Sequence, residues 1–274
     1  MAILIDQQVS ARLPGRLRRW VLFFINYGVL ARFLAMTFGI AAIVWGIETF
    51  PIFWRQSPIE HTAAAIIGRD TFKPGALDAL IPAVEDIERA SYCQPTALHS
   101  AAVIRLRLAE RAMVDGERNV IDARLASAER SIRRSLSCAP SDAFLWMALA
   151  WVDEIRMGFR QKQLTYLRLS YQVGPNEGWV AARRNRLALS IFTRLPPDLA
   201  DEAVNEFDHM LNSWIYWDAI AIFEGPGWAI HDQLLASLKD VGKRQREAFA
   251  DELYAEGFDL AVPGVAPRKP RPWY

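Results

Sequence analysis

The chain has 274 residues, of which 52% are hydrophobic, and its formal net charge at pH 7 is +1. This composition provides enough apolar side chains for a buried core and excludes a wholly disordered chain. The near-neutral total also argues against a nucleic-acid binder, which needs a strongly basic surface.

A long apolar segment near the N-terminus predicts a membrane-spanning helix. Residues 33–47 carry no charge, and apolar residues resume after Glu48, which gives about the 20 residues that a span requires. We predict the transmembrane helix at 33–54. The shorter apolar run at 20–30 is expected to be an interfacial helix or the first part of one long, tilted helix. A buried helix of a soluble protein is the alternative, although such uninterrupted runs are rare outside membranes.

Basic side chains predict the orientation of this helix. The four arginines at 12–19, ahead of the span, outnumber the lone Arg55 after it, and positive charge is retained on the cytoplasmic side. Residues 1–32 are therefore expected in the cytoplasm, with the main domain in the periplasm and the anchor in a bacterial inner membrane. An uncleaved signal anchor is favoured over a signal peptide, because the small residues at 62–65 lie far beyond the apolar core. The preceding arginines are Arg12, Arg16, Arg18 and Arg19.

Three segments that end in proline align with one another and indicate a helical repeat. Residues 87–95, 132–140 and 167–175 each place a branched aliphatic residue eight positions, and a small residue five positions, before the proline. Small residues allow another helix to cross closely, and a proline just beyond a helix ends it. Each segment is therefore expected to be the second helix of a hairpin, in an almost entirely helical domain that follows a linker at 55–72.

These segments resemble the tetratricopeptide repeat family. The last two prolines are 35 residues apart, close to the family's period of 34, and Trp146, Leu149 and Ala150 match the start of its W-x-x-L-G pattern. The resemblance implies an all-α fold, a right-handed α-solenoid of helical hairpins within residues 73–258, preceded by one transmembrane helix.

The resemblance has departures and limits. It covers residues 75–190, but Asp153 stands where the family has an aromatic residue, and Arg184 and Asn185 replace a leucine and a glycine. The first two prolines are 45 residues apart, which requires an insertion, expected around 114–119.

Helices beyond the repeats are expected to cap the solenoid. One begins near residue 197, where proline and acidic residues favour a helix start. Two more are expected at 228–238 and 243–256. The proline-rich segment 259–274 is expected to be a disordered tail.

No catalytic signature is present, and the four histidines lack metal-ligand spacing. The sequence therefore favours a non-enzymatic protein without a cofactor. Cys93 and Cys138 could form a disulfide in an oxidising compartment. The repeat register places them in successive second helices, however, where their Cα atoms should exceed the limit of about 7 Å for a bridge. We therefore expect two buried free thiols.

Ligands of tetratricopeptide domains usually occupy the concave groove formed by the first helix of each hairpin. The resemblance therefore implies a groove whose aromatic and apolar surface suits a peptide or partner helix. The alternative is that these side chains pack against the C-terminal helices, which would fill the groove. The implied groove residues are His99, Leu106, Glu110, Phe144, Met147, Trp151, Glu154, Trp179 and Arg186.

Arg183, Arg184 and Arg186 form the densest basic cluster of the main domain. This cluster is expected to be either a solvated helix face or a binding site for an anionic glycan or a lipid headgroup.

The leading functional hypothesis is a membrane-anchored scaffold or assembly factor, which binds a membrane-associated or periplasmic protein in envelope biogenesis. This setting rests on analogy. The second hypothesis is a glycan-binding or polysaccharide synthesis and export subunit, with Trp214, Tyr216, Trp217 and Trp228 as stacking platforms. A regulatory subunit of a transporter is the third.

Overall fold

The computed structural model describes residues 15–267, and side chains from residue 29 onward except those at 51, 52, 55 and 115. Within this part of the chain the protein is all-helical, and no β-strand is present. The chain divides into two compact units, 1–58 and 59–274.

Helix α1, Gly15–Ile67, is a single continuous helix of 53 residues. It contains a 22-residue stretch, Val29–Phe50, with a mean hydropathy of 1.8, none of which is buried within the chain. This stretch is long and apolar enough to cross a membrane. The apolar run at 20–30 belongs to the same helix, in agreement with the second of its two expected arrangements. The arginines at 12–19, on which the predicted orientation depends, lie outside the residues whose side chains are described.

The linker predicted at 55–72 is helical as far as Ile67, so that prediction is wrong for most of its length. A proline in a helix removes one backbone hydrogen bond and disfavours the helix locally. The residues after Pro58 nevertheless remain helical, because the helix buries Ile59 and Ala63 in the core of the second unit. The free energy of this burial outweighs the local preference.

The second unit consists mainly of consecutive helices joined by short loops. After a 3₁₀ turn, Asp78–Leu80, these helices are α2 Ile81–Arg89, α3 Pro95–Asp115, α4 Arg118–Cys138, α5 Ala143–Met157, α6 Gln161–Val173, α7 Gly178–Ser190 and α8 Pro197–Asn212.

The helices pack most extensively as the pairs α3 with α4 and α5 with α6, while α7 packs on α8. Among the first members of these pairs, α3 also contacts α5, and α5 contacts α7.

The aligned positions of the last two proline-terminated segments lie in the packed interior. Ile132 and Leu167, eight positions before their prolines, are buried, as are Ser135 and Ser170 at the small-residue position. The insertion expected around 114–119 falls at the tip of the hairpin, where α3 ends at Asp115 and α4 begins at Arg118. Helices α3 and α4 contain 21 residues each, compared with 15 in α5 and 13 in α6. The extra residues therefore lengthen the hairpin.

The C-terminal part of the second unit has its own apolar core, in which the rings of Phe207, Phe223 and Phe249 meet. Residues Tyr216–Phe223 form helix α9. This helix was not expected from the sequence, because its residues form an aromatic run without helical amphipathicity. The helices predicted near 197 and at 243–256 are present. The elements are α9 Tyr216–Phe223, a 3₁₀ helix Pro226–Ile230, α10 His231–Ser237, a 3₁₀ turn Leu238–Asp240 and α11 Lys243–Glu256.

The predicted disordered tail is ordered where the structure describes it. Val262 is buried against the C-terminal core. The Arg246 side chain donates a hydrogen bond of 2.8 Å to the carbonyl oxygen of Pro263. The prediction of disorder is therefore wrong for 259–267, because this segment contributes an apolar anchor, and residues 268–274 lie outside the described part.

Cys93 and Cys138 form a disulfide, with their Cα atoms 5.7 Å apart. The expectation of two free thiols is wrong. Cys93 lies in the loop just before α3, and Cys138 is the last residue of α4. Since α3 and α4 form a hairpin, the start of the first helix lies beside the end of the second. The expectation of free thiols was based only on the separation between the two second helices. It did not take into account that the two ends of one hairpin lie side by side.

Candidate functional site

A cavity of about 610 Å³ lies in the second unit, against the faces of four helices. Three of them contribute residues with the same spacing along the helix. Helices α3, α5 and α7 each contribute residues spaced i, i+3, i+4 and i+7, which form one face of an α-helix. These residues are Val103, Leu106, Arg107 and Glu110 of α3; Phe144, Met147, Ala148 and Trp151 of α5; and Arg183, Arg186, Leu187 and Ser190 of α7.

The remaining walls come from outside these three helices. Ile66 and Ile67, the last residues of α1, line the cavity together with Arg69 and Pro226. The end of α1 therefore occupies part of the surface that the faces of α3 and α5 offer, with Ala63 packed in the same core as Phe144. The space that remains is a pocket of limited size.

Local interactions hold the α5 face in place. The Asp142 side chain caps α5, because its Oδ1 accepts a hydrogen bond of 3.0 Å from the backbone N–H of Leu145. The other carboxylate oxygen of Asp142 lies 2.5 Å from Nδ1 of His99 on α3. This contact ties the start of α5 to the start of α3, so that their faces point to the same cavity.

The cavity is apolar at its base and basic at its edge. Four of its lining residues are arginines and one, Glu110, is acidic. Arg107 is paired with Glu110 at 3.0 Å. Arg69 forms an ion pair with Asp218. Two of the arginines thus have a carboxylate partner.

The two arginines of α7 that line the cavity, Arg183 and Arg186, do not form an ion pair with a carboxylate. Arg183 donates to the carbonyl oxygens of Ile67 at 2.9 Å and Trp179 at 3.0 Å. Burial and the neighbouring Arg69 lower the pKa of the Arg183 guanidinium. Arg186 is exposed, and in the described part of the chain no hydrogen bond or ion pair engages it.

Six of the nine groove residues predicted from the repeat register line this cavity: Leu106, Glu110, Phe144, Met147, Trp151 and Arg186. The geometry brings them together, whereas their role in binding remains a prediction. The side chains of Trp151 and Trp179 are not fully buried, so the groove is not closed over them.

The other three predicted groove residues lie beside the cavity. The ring of His99 lies 6.0 Å from that of Phe144, and the ring of Trp179 lies 5.0 Å from it on the other side. Trp179 is 37% exposed. Glu154 pairs with Arg194 at 3.6 Å and does not reach the cavity.

The basic cluster of α7 is divided by the helix. Arg183 and Arg186 face the cavity, but Arg184 is 0% exposed. Its guanidinium lies 2.5 Å from Glu206 and donates 2.7 Å to the carbonyl oxygen of Ser170. The prediction that Arg184 binds an anionic ligand is therefore wrong, because neighbouring positions of a helix point in different directions.

Some lining residues could be found from the sequence and others could not. Arg107, Ala148 and Leu187 follow from extending the face of each first helix by one position. Ile67 and Pro226 belong to segments outside the repeats, and no sequence signal connects them with the groove.

The C-terminal aromatic residues form a second exposed feature. Trp214 is 52% exposed and Trp217 is 61% exposed. The ring of Tyr216 lies 6.3 Å from that of Trp214 and 4.8 Å from that of Trp217. Trp228 stacks on His231 at 4.5 Å. Trp214, Trp217 and Trp228 are therefore available to solvent.

The fold and the cavity define an all-helical protein with an N-terminal helix able to span a membrane and a pocket on equivalent faces of three helices. No protein-family model, no curated protein and no solved structure matches the chain. Within the described residues, no group of three or more His, Cys, Asp or Glu side chains could hold a metal ion.

Proposed function

We propose that this protein is a membrane-anchored scaffold whose cavity binds an apolar segment of a protein partner. The carrying observation is that α3, α5 and α7 each turn one face, with the same i, i+3, i+4 and i+7 spacing, towards one cavity. Equivalent faces are what stacked repeats present, which supports a right-handed solenoid of hairpins resembling the tetratricopeptide repeat.

The dimensions and chemistry of the cavity support this role. Its volume of about 610 Å³ falls within the range of roughly 300 to 1,000 Å³ typical of ligand-binding cavities. Leu106, Phe144 and Met147 provide an apolar base in which anchor side chains of a partner could be buried. The arginines at the edge could then determine the orientation of the bound segment.

We place the main domain in the periplasm and the anchor in a bacterial inner membrane. The apolar stretch of α1 supports the anchor, and the arginines before it support the orientation. The Cys93–Cys138 disulfide adds an independent argument, since disulfides persist in oxidising compartments. Anchoring raises the effective concentration of the domain towards partners at the same membrane, which suits a role in envelope assembly.

Capture of partners by the full-length protein tests the proposal. Ser190→Trp places a large ring at the cavity from an exposed position, and Ala123→Trp places the same ring on the exposed surface of α4 as a control. We expect wild-type protein and the control to co-purify the same membrane or envelope protein, and Ser190→Trp to lose it. If all three capture it equally, the cavity is not the partner site.

Glycan binding is the second candidate function, and the exposure of Trp214 and Trp217 favours it. Exposed aromatic rings could stack on sugar faces. Binding of envelope polysaccharides that falls at least tenfold in Trp217→Ala, but not in Ser190→Trp, would support this function.

A further inference from the structure

The cavity combines an apolar base with a single unpaired cation. Arg107 and Arg69 are matched by Glu110 and Asp218, and Arg183 is engaged by two backbone carbonyls. Arg186 is exposed at the cavity edge, and within residues 15–267 none of its N–H donors has a partner. A ligand that fits this arrangement carries one anionic group and an apolar body.

The positions of Arg183 and Arg186, neither of which has a carboxylate partner, agree with the binding of one anionic group. Arg183 and Arg186 are three residues apart on α7, so their side chains lie on the same face of the helix. A guanidinium binds a carboxylate or phosphate through two parallel hydrogen bonds. Arg183 adds a second positive charge that the backbone carbonyls do not neutralise.

The apolar base lies next to this charge. Leu187 is one residue beyond Arg186, and Phe144 and Met147 of α5 continue the apolar surface. A volume of about 610 Å³ is suited to one flexible chain. A helix of a partner would need an extended groove, which the end of α1 partly occupies.

The apolar stretch of α1, which would adjoin membrane lipids as a source of such ligands, is close to the cavity along the chain. The apolar stretch of α1 ends at Phe50, and Ile67 lines the cavity 17 residues later. Even a fully extended chain of that length reaches only roughly 60 Å. The cavity therefore stays near any membrane that holds the anchor.

We propose that the cavity binds a single-chain lipid with an anionic head group, with its head on Arg186 and Arg183 and its chain against Phe144, Met147 and Leu187. This inference requires that the cavity bind ligands, as the proposed function does. It goes beyond that function, because such a lipid would compete with the partner and make partner binding sensitive to lipid supply.

Photolabelling of the full-length protein in discs of neutral phospholipid tests the proposal. The probes are palmitate with a photoreactive group on its chain and the uncharged methyl ester of the same compound. The variants are Arg186→Gln and, as a matched control, Arg130→Gln, which removes a charge from an exposed position on α4. Adducts are located by mass spectrometry of peptides.

We expect palmitate to label peptides that contain Met147 or Leu187 in wild-type protein and in Arg130→Gln. The concentration for half-maximal labelling should rise about tenfold for Arg186→Gln and for the methyl ester, since a charge-assisted contact contributes roughly 1.5 kcal/mol or more. Lysophosphatidate should displace the label, whereas inorganic phosphate should not, because it lacks the chain.

Three results would overturn the proposal. Equal labelling by the acid and the ester, or equal labelling of both variants, would show that the charge is not recognised. Displacement by an acidic peptide but not by lysophosphatidate would assign the cavity to a peptide. Absence of cavity adducts would exclude the lipid, and the loss of partner capture in Ser190→Trp would then still stand as a separate result.

Discussion

At the scale of single residues, the buried pair of Arg184 and Glu206 shows how the second unit accommodates a charge in its interior. The guanidinium of Arg184 lies 4.2 Å from the ring centre of Tyr171. The Tyr171 hydroxyl donates to the second carboxylate oxygen of Glu206 at 3.2 Å. The charge is tolerated because Ser170 and Tyr171 of α6 and Glu206 of α8 provide its partners.

Removal of one partner of this pair should be costly. Arg184→Leu leaves Glu206, whose pKa burial already raises, without its counter-charge. We expect the free energy of unfolding to fall by roughly 3 to 5 kcal/mol, measured by urea denaturation of the full-length protein in detergent. Adding Glu206→Gln should restore most of the loss, because the amide oxygen still accepts from Tyr171. A double variant as unstable as the single one would contradict this explanation.

Asp208 should make stability depend on pH. Burial raises its pKa from 3.8 to about 6, although its Oδ1 accepts a hydrogen bond of 2.8 Å from Ser237. Between about pH 4 and 6 the native protein keeps this proton while the unfolded chain loses it. The contribution of Asp208 to stability is therefore complete below pH 4 and lost as the pH rises through 6.

Asp208→Asn should remove this dependence. We expect the variant to gain about 1 to 3 kcal/mol relative to wild type between pH 4 and pH 8, measured by urea denaturation across that range. Other buried acids such as Glu206 affect both proteins equally and cancel in the difference. A constant difference at all pH values would show that Asp208 titrates normally.

At the scale of elements, the Cys93–Cys138 disulfide links the beginning of the α3–α4 hairpin to its end. The cysteines are 45 residues apart, so the crosslink restricts nearly the whole hairpin in the unfolded chain. It also holds the start of α3 in register, where His99 contacts the cap of α5.

Loss of the disulfide should destabilise the protein by up to about 4 kcal/mol, according to the chain-entropy estimate for a loop of this length. We expect the double variant Cys93→Ser/Cys138→Ser to unfold at lower urea concentration than wild type. Reductant should shift wild type to the same midpoint and leave the variant unchanged. Wild-type protein that does not respond to reductant while unfolded would contradict the presence of the bridge.

At the scale of the whole molecule, α1 joins two roles in one helix. Its apolar stretch is not buried against the rest of the chain, so exposure of this stretch to water would be unfavourable. Its last turns, by contrast, pack into the second unit through Ile59 and Ala63 and line the cavity with Ile66 and Ile67. The apolar stretch and residues of the cavity thus belong to one continuous helix.

We therefore expect the full-length protein to sediment with membranes and to resist extraction at alkaline pH. In spheroplasts, added protease should digest the part of the chain after Pro58 if that part is periplasmic, and a cytoplasmic marker protein should stay intact. Recovery in the soluble fraction would contradict the anchor, and protection from protease would contradict the orientation.

The sequence determined what depends on neighbouring residues along the chain. The apolar run predicted a spanning helix, proline positions predicted where α4 and α6 end, and the register implied by the family resemblance predicted six residues that line the cavity. These features are local, because hydrogen bonds and side-chain directions within a helix repeat with a known period.

Only the tertiary structure decided which distant segments meet. The closure of the hairpin pairs Cys93 with Cys138, the packing of α8 provides Glu206 for Arg184, and the end of α1 adds Ile67 to the cavity. Each of these contacts depends on how helix ends approach one another in space, and helical periodicity carries no information about that approach.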